Sequence, residues 1–100
     1  MAVIRTTRFT VDPVDVETML ARRGQLLAAV RAAFAGPTEA RLVRLDEETW
    51  LDIWRWDSGE ALRAALEGAP GLPEAGAAFA VTRDASVEQG DVVDEDVWAR

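Results

Sequence analysis

Asp52 is the residue of this sequence best placed for acid–base chemistry. It lies in the run Thr49-Trp50-Leu51-Asp52-Ile53-Trp54-Arg55-Trp56, which holds three of the chain's four tryptophans. Alternate side chains of a β-strand share a face, so Asp52 stands in one row with Trp50, Trp54 and Trp56. Burial between indole rings makes a carboxylate a stronger base. Such a group can take a proton from an acidic phenol or enol, and the resulting carbanion can react with oxygen without a metal or flavin. A second reading pairs Asp52 with an arginine, such as Arg44 on the neighbouring strand, or places it at a solvated sheet end. The tryptophans are equally two-sided. Trp54 and Trp56 fit a flat wall for a planar ligand, yet an indole removes ~150–250 Å² from water on burial, reason enough for core. Trp50 is expected in the core.

The rest of the composition narrows the chemistry by exclusion. The chain has no cysteine, no histidine and no tyrosine. Disulfides, thiolate catalysis and cysteine- or histidine-held metals are therefore excluded, as are the usual neutral-pH base and the phenol acid. No cofactor is expected. All eleven positive charges are arginine, against eighteen carboxylates, for a formal net charge of −7. That balance argues against nucleic acid, which is bound by clustered positive charge. Arg5, Arg8, Arg41, Arg44 and Arg55 fall on three expected strands, where they serve as cross-strand partners of carboxylates or as an anion site. Gly68-Ala69-Pro70-Gly71 lacks the lysine and spacing of a phosphate-binding loop and reads as a helix break. Asp91, Asp94, Glu95 and Asp96 match no calcium-loop spacing and read as a solvated tail. No apolar run is long enough to span a membrane, and a cytoplasmic location is expected.

The elements that must position these residues follow from periodicity and caps. Val3 to Val11 reads as a first strand, closed by Asp12-Pro13. Asp12 as N-cap and Pro13 at the first helical position start a helix to about Ala35, with Val16, Leu20, Leu27, Val30 and Phe34 as its apolar stripe, widened by Met19 and Leu26. Glu39 to Leu45 is a second strand, joined through Asp46-Glu47-Glu48 to the tryptophan strand as an antiparallel hairpin. Ser58 caps a second helix whose apolar face is Ala61, Leu62, Ala65 and Leu66. It is broken near Gly68 and restarts at Pro73 with Ala75, Ala78 and Phe79. Ala85 to about Val93 is the last strand. One domain over residues 1–93 and an acidic tail over 94–100 are expected, with Trp98 docked in a groove, on this chain or on a second copy.

Strand, helix, strand, strand, helix, strand is the ferredoxin-like α+β order: a four-stranded antiparallel sheet with both helices on one face. Leu51 and Ile53 make the second face of the tryptophan strand apolar as well. A second copy is the economical cover, so a homodimer through the open sheet face is expected.

On these residues the chain resembles the antibiotic biosynthesis monooxygenase family of the dimeric α+β barrel superfamily. The resemblance rests on the opening strand running into Asp12-Pro13, on Trp54-Arg55-Trp56-Asp57-Ser58-Gly59-Glu60-Ala61-Leu62 at the strand-to-helix passage, and on the last strand with its acidic exit. It implies a small-molecule pocket near Trp54 and Trp56; Thr7, Arg44 and Phe79 are expected as further ligand contacts, and Asp52, from its place in the tryptophan row, as base. The implied activity is cofactor-independent oxygenation of an aromatic or polyketide-type compound. Two alternatives stand beside it: a non-catalytic dimerisation or ligand-sensing module with a filled pocket, and haem binding. The haem-degrading branch of the superfamily uses an asparagine and a histidine at positions held here by Thr7 and Ala65, so histidine ligation of haem is ruled out.

Overall fold

A computed structural model describes residues 1–98. Its elements are β1 (Val3–Thr10), α1 (Val16–Ala33), β2 (Pro37–Arg44), β3 (Thr49–Trp56), α2 (Gly59–Gly68), α3 (Pro73–Phe79) and β4 (Arg83–Asp91). The strands form one antiparallel sheet in the order β2-β3-β1-β4, which is the ferredoxin-like arrangement.

Local chemistry explains the boundaries. The Asp12 carboxylate accepts from the Val14 N–H at 3.1 Å, so the helical segment opens as expected, but Pro13–Asp15 make a single 3-10 turn before α1. α1 ends at Ala33, two residues short of the expected Ala35, because Phe34 turns extended and Gly36 takes φ +108°. A Cβ on Gly36 would lie 2.5 Å from the Ala61 Cβ and 2.7 Å from the Asp57 Oδ1, so this position requires glycine for space as well as for conformation. In the β2–β3 loop, Asp46 Oδ1 accepts from the N–H groups of Glu48 and Thr49 at 2.9 and 2.8 Å. Those bonds hold its carboxyl below the usual range. The Ser58 hydroxyl caps α2 by accepting from the Ala61 N–H. The expected helix break is a 3-10 turn over Ala69–Gly71, after which Pro73 starts α3. β2 and β4 each begin two residues earlier than their sequence patterns indicate.

The register sorts side chains into rows across the sheet. Val3 stands opposite Trp56, Arg5 opposite Trp54, Thr7 opposite Asp52 and Phe9 opposite Trp50. These rows face the helices, and their ends anchor two hydrophobic clusters. One is built from Val3, Trp56, Val30, Leu62 and Ala65, the other from Phe9, Val11, Trp50 and Met19. Trp50, 6% exposed, is core, as expected. The two middle rows hold Arg5, Trp54, Thr7 and Asp52, so the core is interrupted at the centre of the sheet by polar side chains.

The apolar stripe of α1 keeps Val16, Met19, Leu26, Val30 and Phe34 of the expected one and loses Leu20. Met19 and Val30 are buried and Val16 and Leu26 pack beside them, while Leu20 is 46% exposed. The opposite face of the sheet carries Ile4, Leu51 and Ile53, half-buried, and Val43, exposed, with no helix over them. Arg55, on this same face, donates to both carboxylate oxygens of Glu95, at 2.7 and 2.5 Å, and ties the C-terminal segment down there. Trp98 is 83% exposed, so the groove expected for it is not on this chain.

Candidate functional site

Between the sheet and the helices, in the gap between the two clusters, lies a cavity of about 170 Å³. Five of the residues expected at a site line it: Asp52, Trp54, Trp56, Thr7 and Phe79. β3 supplies the first three from alternate positions, β1 supplies Thr7, and α3 supplies Phe79, which is 61% exposed. Arg44 is not among them. It shares the helix-facing side of the sheet, but its guanidinium lies 4.9 Å over the Trp50 ring and donates to the carbonyls of Asp46 and Glu47 in the β2–β3 loop. Its charge is spent on closing the hairpin and stacking on the core tryptophan.

Asp52 is not the isolated carboxylate that a row of indoles implies. Arg23 of α1 grips it with two hydrogen bonds, Nε to Oδ2 at 3.0 Å and a terminal nitrogen to Oδ1 at 2.9 Å. The Trp54 indole N–H donates to the same Oδ1 at 3.0 Å. Both partners of the ion pair are about five-sixths buried, with side-chain exposures of 16% and 15%. A carboxylate has about four lone-pair sites, so three donors leave roughly one for a ligand. The pairing foreseen between Asp52 and an arginine exists, but the arginine comes from the covering helix and not from β2.

Arg23 is the site residue that escaped the sequence reading. A signal for it is present: Arg23 lies seven residues from both Val16 and Val30, four after Met19 and three before Leu26, in the middle of the apolar stripe. A charged residue there must find a partner inside. Arg22, its neighbour, donates to the Ala77 carbonyl at 3.0 Å and fastens α1 to α3 over the cavity.

The aromatic wall is a stacked pair. Trp54 and Trp56 have ring centroids 6.0 Å apart and planes inclined by 15°. Trp56 is 3% exposed and its indole N–H, like that of Trp50, meets no acceptor among the described residues. The cavity therefore has an aromatic side, an aliphatic and alanine-rich side from α1, α2 and α3, and a polar floor of Arg5, Thr7 and the Arg23–Asp52 pair. That is the usual constitution of a small-molecule site: mostly apolar, with a few fixed polar groups that set orientation. Ala65, at the position of the haem-ligating histidine in the haem-degrading branch, is buried in the wall and carries no donor atom, so haem ligation from there does not fit.

Solved structures with the same architecture cover nearly the whole chain. SnoaB from Streptomyces nogalater, a cofactor-independent oxygenase, is 26% identical over 94% of this chain and 95% of its own, with a TM-score of 0.71. The chain has the ferredoxin-like fold of these structures, which is antibiotic biosynthesis monooxygenase-like. A Caulobacter crescentus protein named for the antibiotic biosynthesis monooxygenases shares the monooxygenase-like fold at 19% identity, with TM-score 0.75 and coverage of 93% and 91%. A dimeric ferredoxin-like protein from an uncultured marine organism does so at 15% identity, with TM-score 0.75 and coverage of 98% and 93%. No known family profile matches the sequence, and no curated protein matches it. The described residues include no helix long and apolar enough to cross a membrane.

Proposed function

We propose that this chain is a homodimeric small-molecule-binding protein that acts as a cofactor-independent oxygenase on an aromatic or polyketide-type compound. The observation that carries the reading is the cavity itself: an open space of about 170 Å³ with a stacked tryptophan pair on one side and one carboxylate at its floor. A dimerisation module with a filled pocket has no use for polar groups at the centre of its core, because each must be matched by a partner to offset its lost hydration. The likeness to SnoaB, an oxygenase described as cofactor-independent, supports the same reading.

The chemistry suits a substrate with an acidic CH₂ flanked by aromatic or carbonyl groups. Asp52, as the one carboxylate of the cavity lining, accepts the proton through its remaining lone pair, and Arg23 and Trp54 hold it in position. The carbanion passes an electron to O₂, the two radicals combine to a hydroperoxide, and loss of water leaves a ketone. One oxygen atom ends in the C=O and the other in water, so the substrate supplies all four electrons and no external reductant is required. Stacking on Trp54, which Trp56 backs from the core, holds the planar ring system near the carboxylate.

The homodimer is the finer part of the proposal. Ile4, Leu51, Ile53 and Val43 form an uncovered apolar strip on the far face of the sheet, and a relative with the same fold is dimeric. Oxygen uptake with polycyclic phenols, measured by electrode, tests the catalytic claim. Asp52→Asn is expected to lower the rate by about a hundredfold, the low end of the range for loss of a general base. Equal rates in both proteins would remove Asp52 as base, and no uptake by the unaltered protein with any of these phenols would favour the ligand-sensing module.

A further inference from the structure

The charge inside the cavity runs against the charge of the chain. Among the described residues, Asp52 is the one carboxylate that lines the cavity, whereas two guanidiniums do, Arg5 and Arg23. Arg23 is matched by Asp52 through two hydrogen bonds. Arg5 has no carboxylate within salt-bridge distance among the described residues; it donates to the neutral side chain of Gln89 at 2.9 Å. In a protein of net charge −7, the cavity therefore carries one uncompensated positive charge.

Its position is as telling as its sign. Arg5 is directly opposite Trp54 on β3 and Gln89 on β4, on the helix-facing side of the sheet. The hydrogen bond to Gln89 draws the guanidinium toward β4, on the side of β1 away from Trp54, so it borders the cavity across from the aromatic wall at an exposed contact. Gln89 uses one of five N–H donors and fixes the side chain without neutralising it. An arginine held by a neutral partner at the edge of a mostly apolar cavity keeps its planar fork for an anionic oxygen.

We infer that Arg5 makes the cavity selective for planar aromatic ligands bearing an ionised oxygen, a carboxylate or a phenolate, with the ring against Trp54 and the anion on the guanidinium. This rests on the proposed ligand cavity and deepens it. If the substrate is a phenol or enol, the same guanidinium stabilises the anion left when Asp52 takes the proton.

Binding without turnover tests it. Under anaerobic conditions, 2-naphthoate and its neutral isostere 2-naphthamide are titrated into the full chain by calorimetry, at pH 7. The expected result is a dissociation constant at least tenfold lower for naphthoate. Arg5→Gln should reduce that preference to less than twofold and leave naphthamide affinity unchanged, while Arg44→Gln, outside the cavity, should leave the preference intact. Circular dichroism verifies that the variants are folded, and the comparison of the two probes on the unaltered protein stands by itself if Arg5→Gln is not. Equal affinity for both probes, binding of neither, or a preference retained in folded Arg5→Gln overturns the inference. Because no oxygen is consumed, a lost preference leaves the oxygenation reading standing, and absent oxygenation leaves a measured preference standing.

Discussion

Replacing Arg23 with leucine isolates the interaction that sets the floor of the cavity. The pair is joined at 2.9 and 3.0 Å, and each side chain is about five-sixths buried. At that separation the gross attraction is ~5 kcal/mol at an effective dielectric of about 20, most of it offset by the desolvation of both ions. Removing one partner is costlier than the net worth of the pair, because Asp52 is left with only the Trp54 N–H; full burial would make that ~3–5 kcal/mol. The cavity admits water, so a loss of about 2–3 kcal/mol is expected, or a fall in Tm of roughly 10–20 °C for a chain of this size. Asp52→Asn should cost less, about 1–2 kcal/mol, since the amide oxygen still accepts from Trp54. The decisive measurement is the double variant. Urea unfolding at fixed protein concentration, followed by circular dichroism at pH 7, should show Arg23→Leu/Asp52→Asn less destabilised than the sum of the singles by about 1–2 kcal/mol. Additivity within ~0.4 kcal/mol would refute the coupling and with it the claim that α1 positions the candidate base.

Other parts of the fold give sharper contrasts. Gly36→Ala is expected to destabilise by more than ~1 kcal/mol, through φ +108° and a Cβ 2.5 Å from that of Ala61, whereas Gly24→Ala, with nothing within 4 Å of the new methyl, should stabilise by about 0.5–1 kcal/mol. Thermal melts of both variants compare the two signs directly. The Asp46 carboxyl is held below its ordinary value by the N–H groups of Glu48 and Thr49, so its folded value lies under its unfolded one. Its contribution is therefore complete above the unfolded value of 3.8 and disappears as pH falls through the folded one. Asp46→Ala should lower stability at pH 7 and by progressively less as the pH falls below 3.8, and a loss that stays constant as the pH is lowered would exclude the carboxylate as the cause. Light scattering is expected to give a dimer for the unaltered chain and a monomer for Ile53→Arg, in the uncovered strip, and the same mass for both would refute the seam.

Most of the fold is legible in the sequence because its signals are local. Asp12-Pro13 and Ser58 cap their helices through hydrogen bonds to residues two and three positions on. The tryptophan strand has the bounds that its β-rich composition indicates, Thr49 to Trp56. The exposure of Leu20 on α1 is the first departure, and it has a physical source. Leu20 and Leu27 broaden the stripe by hydrophobicity alone, but the helix faces the sheet along the expected Val16, Met19, Leu26 and Val30 with Arg23 among them. An amphipathic pattern locates a core-facing stripe only if every core-facing position is apolar. Here one is an arginine, and counting hydrophobic residues passes over it.

The same arginine explains why the candidate site is only half visible before folding. Residues carried on one strand, Asp52, Trp54 and Trp56, are brought together by the two-residue period, so their juxtaposition is readable from the chain. Arg23 meets Asp52 across 29 positions of sequence, and the partner of a carboxylate at such a distance is set by how a helix lies over a sheet. Arg44 shows the converse. It is adjacent to the site by strand pairing, opposite Trp50, yet ring stacking and two loop carbonyls hold its guanidinium outside the cavity. Sheet register places a side chain in a row; it does not direct a long, flexible arginine along that row. The polar floor therefore follows from tertiary packing, and it is dearer than an apolar floor would be. A continuous cluster linking Val3 and Trp56 to Phe9 and Trp50 would leave no buried ion pair to match and no uncompensated Arg5. That a chain of 100 residues keeps the Arg23–Asp52 pair under its covering helix, where an apolar floor would close the core, is the physical argument behind the proposed ligand site.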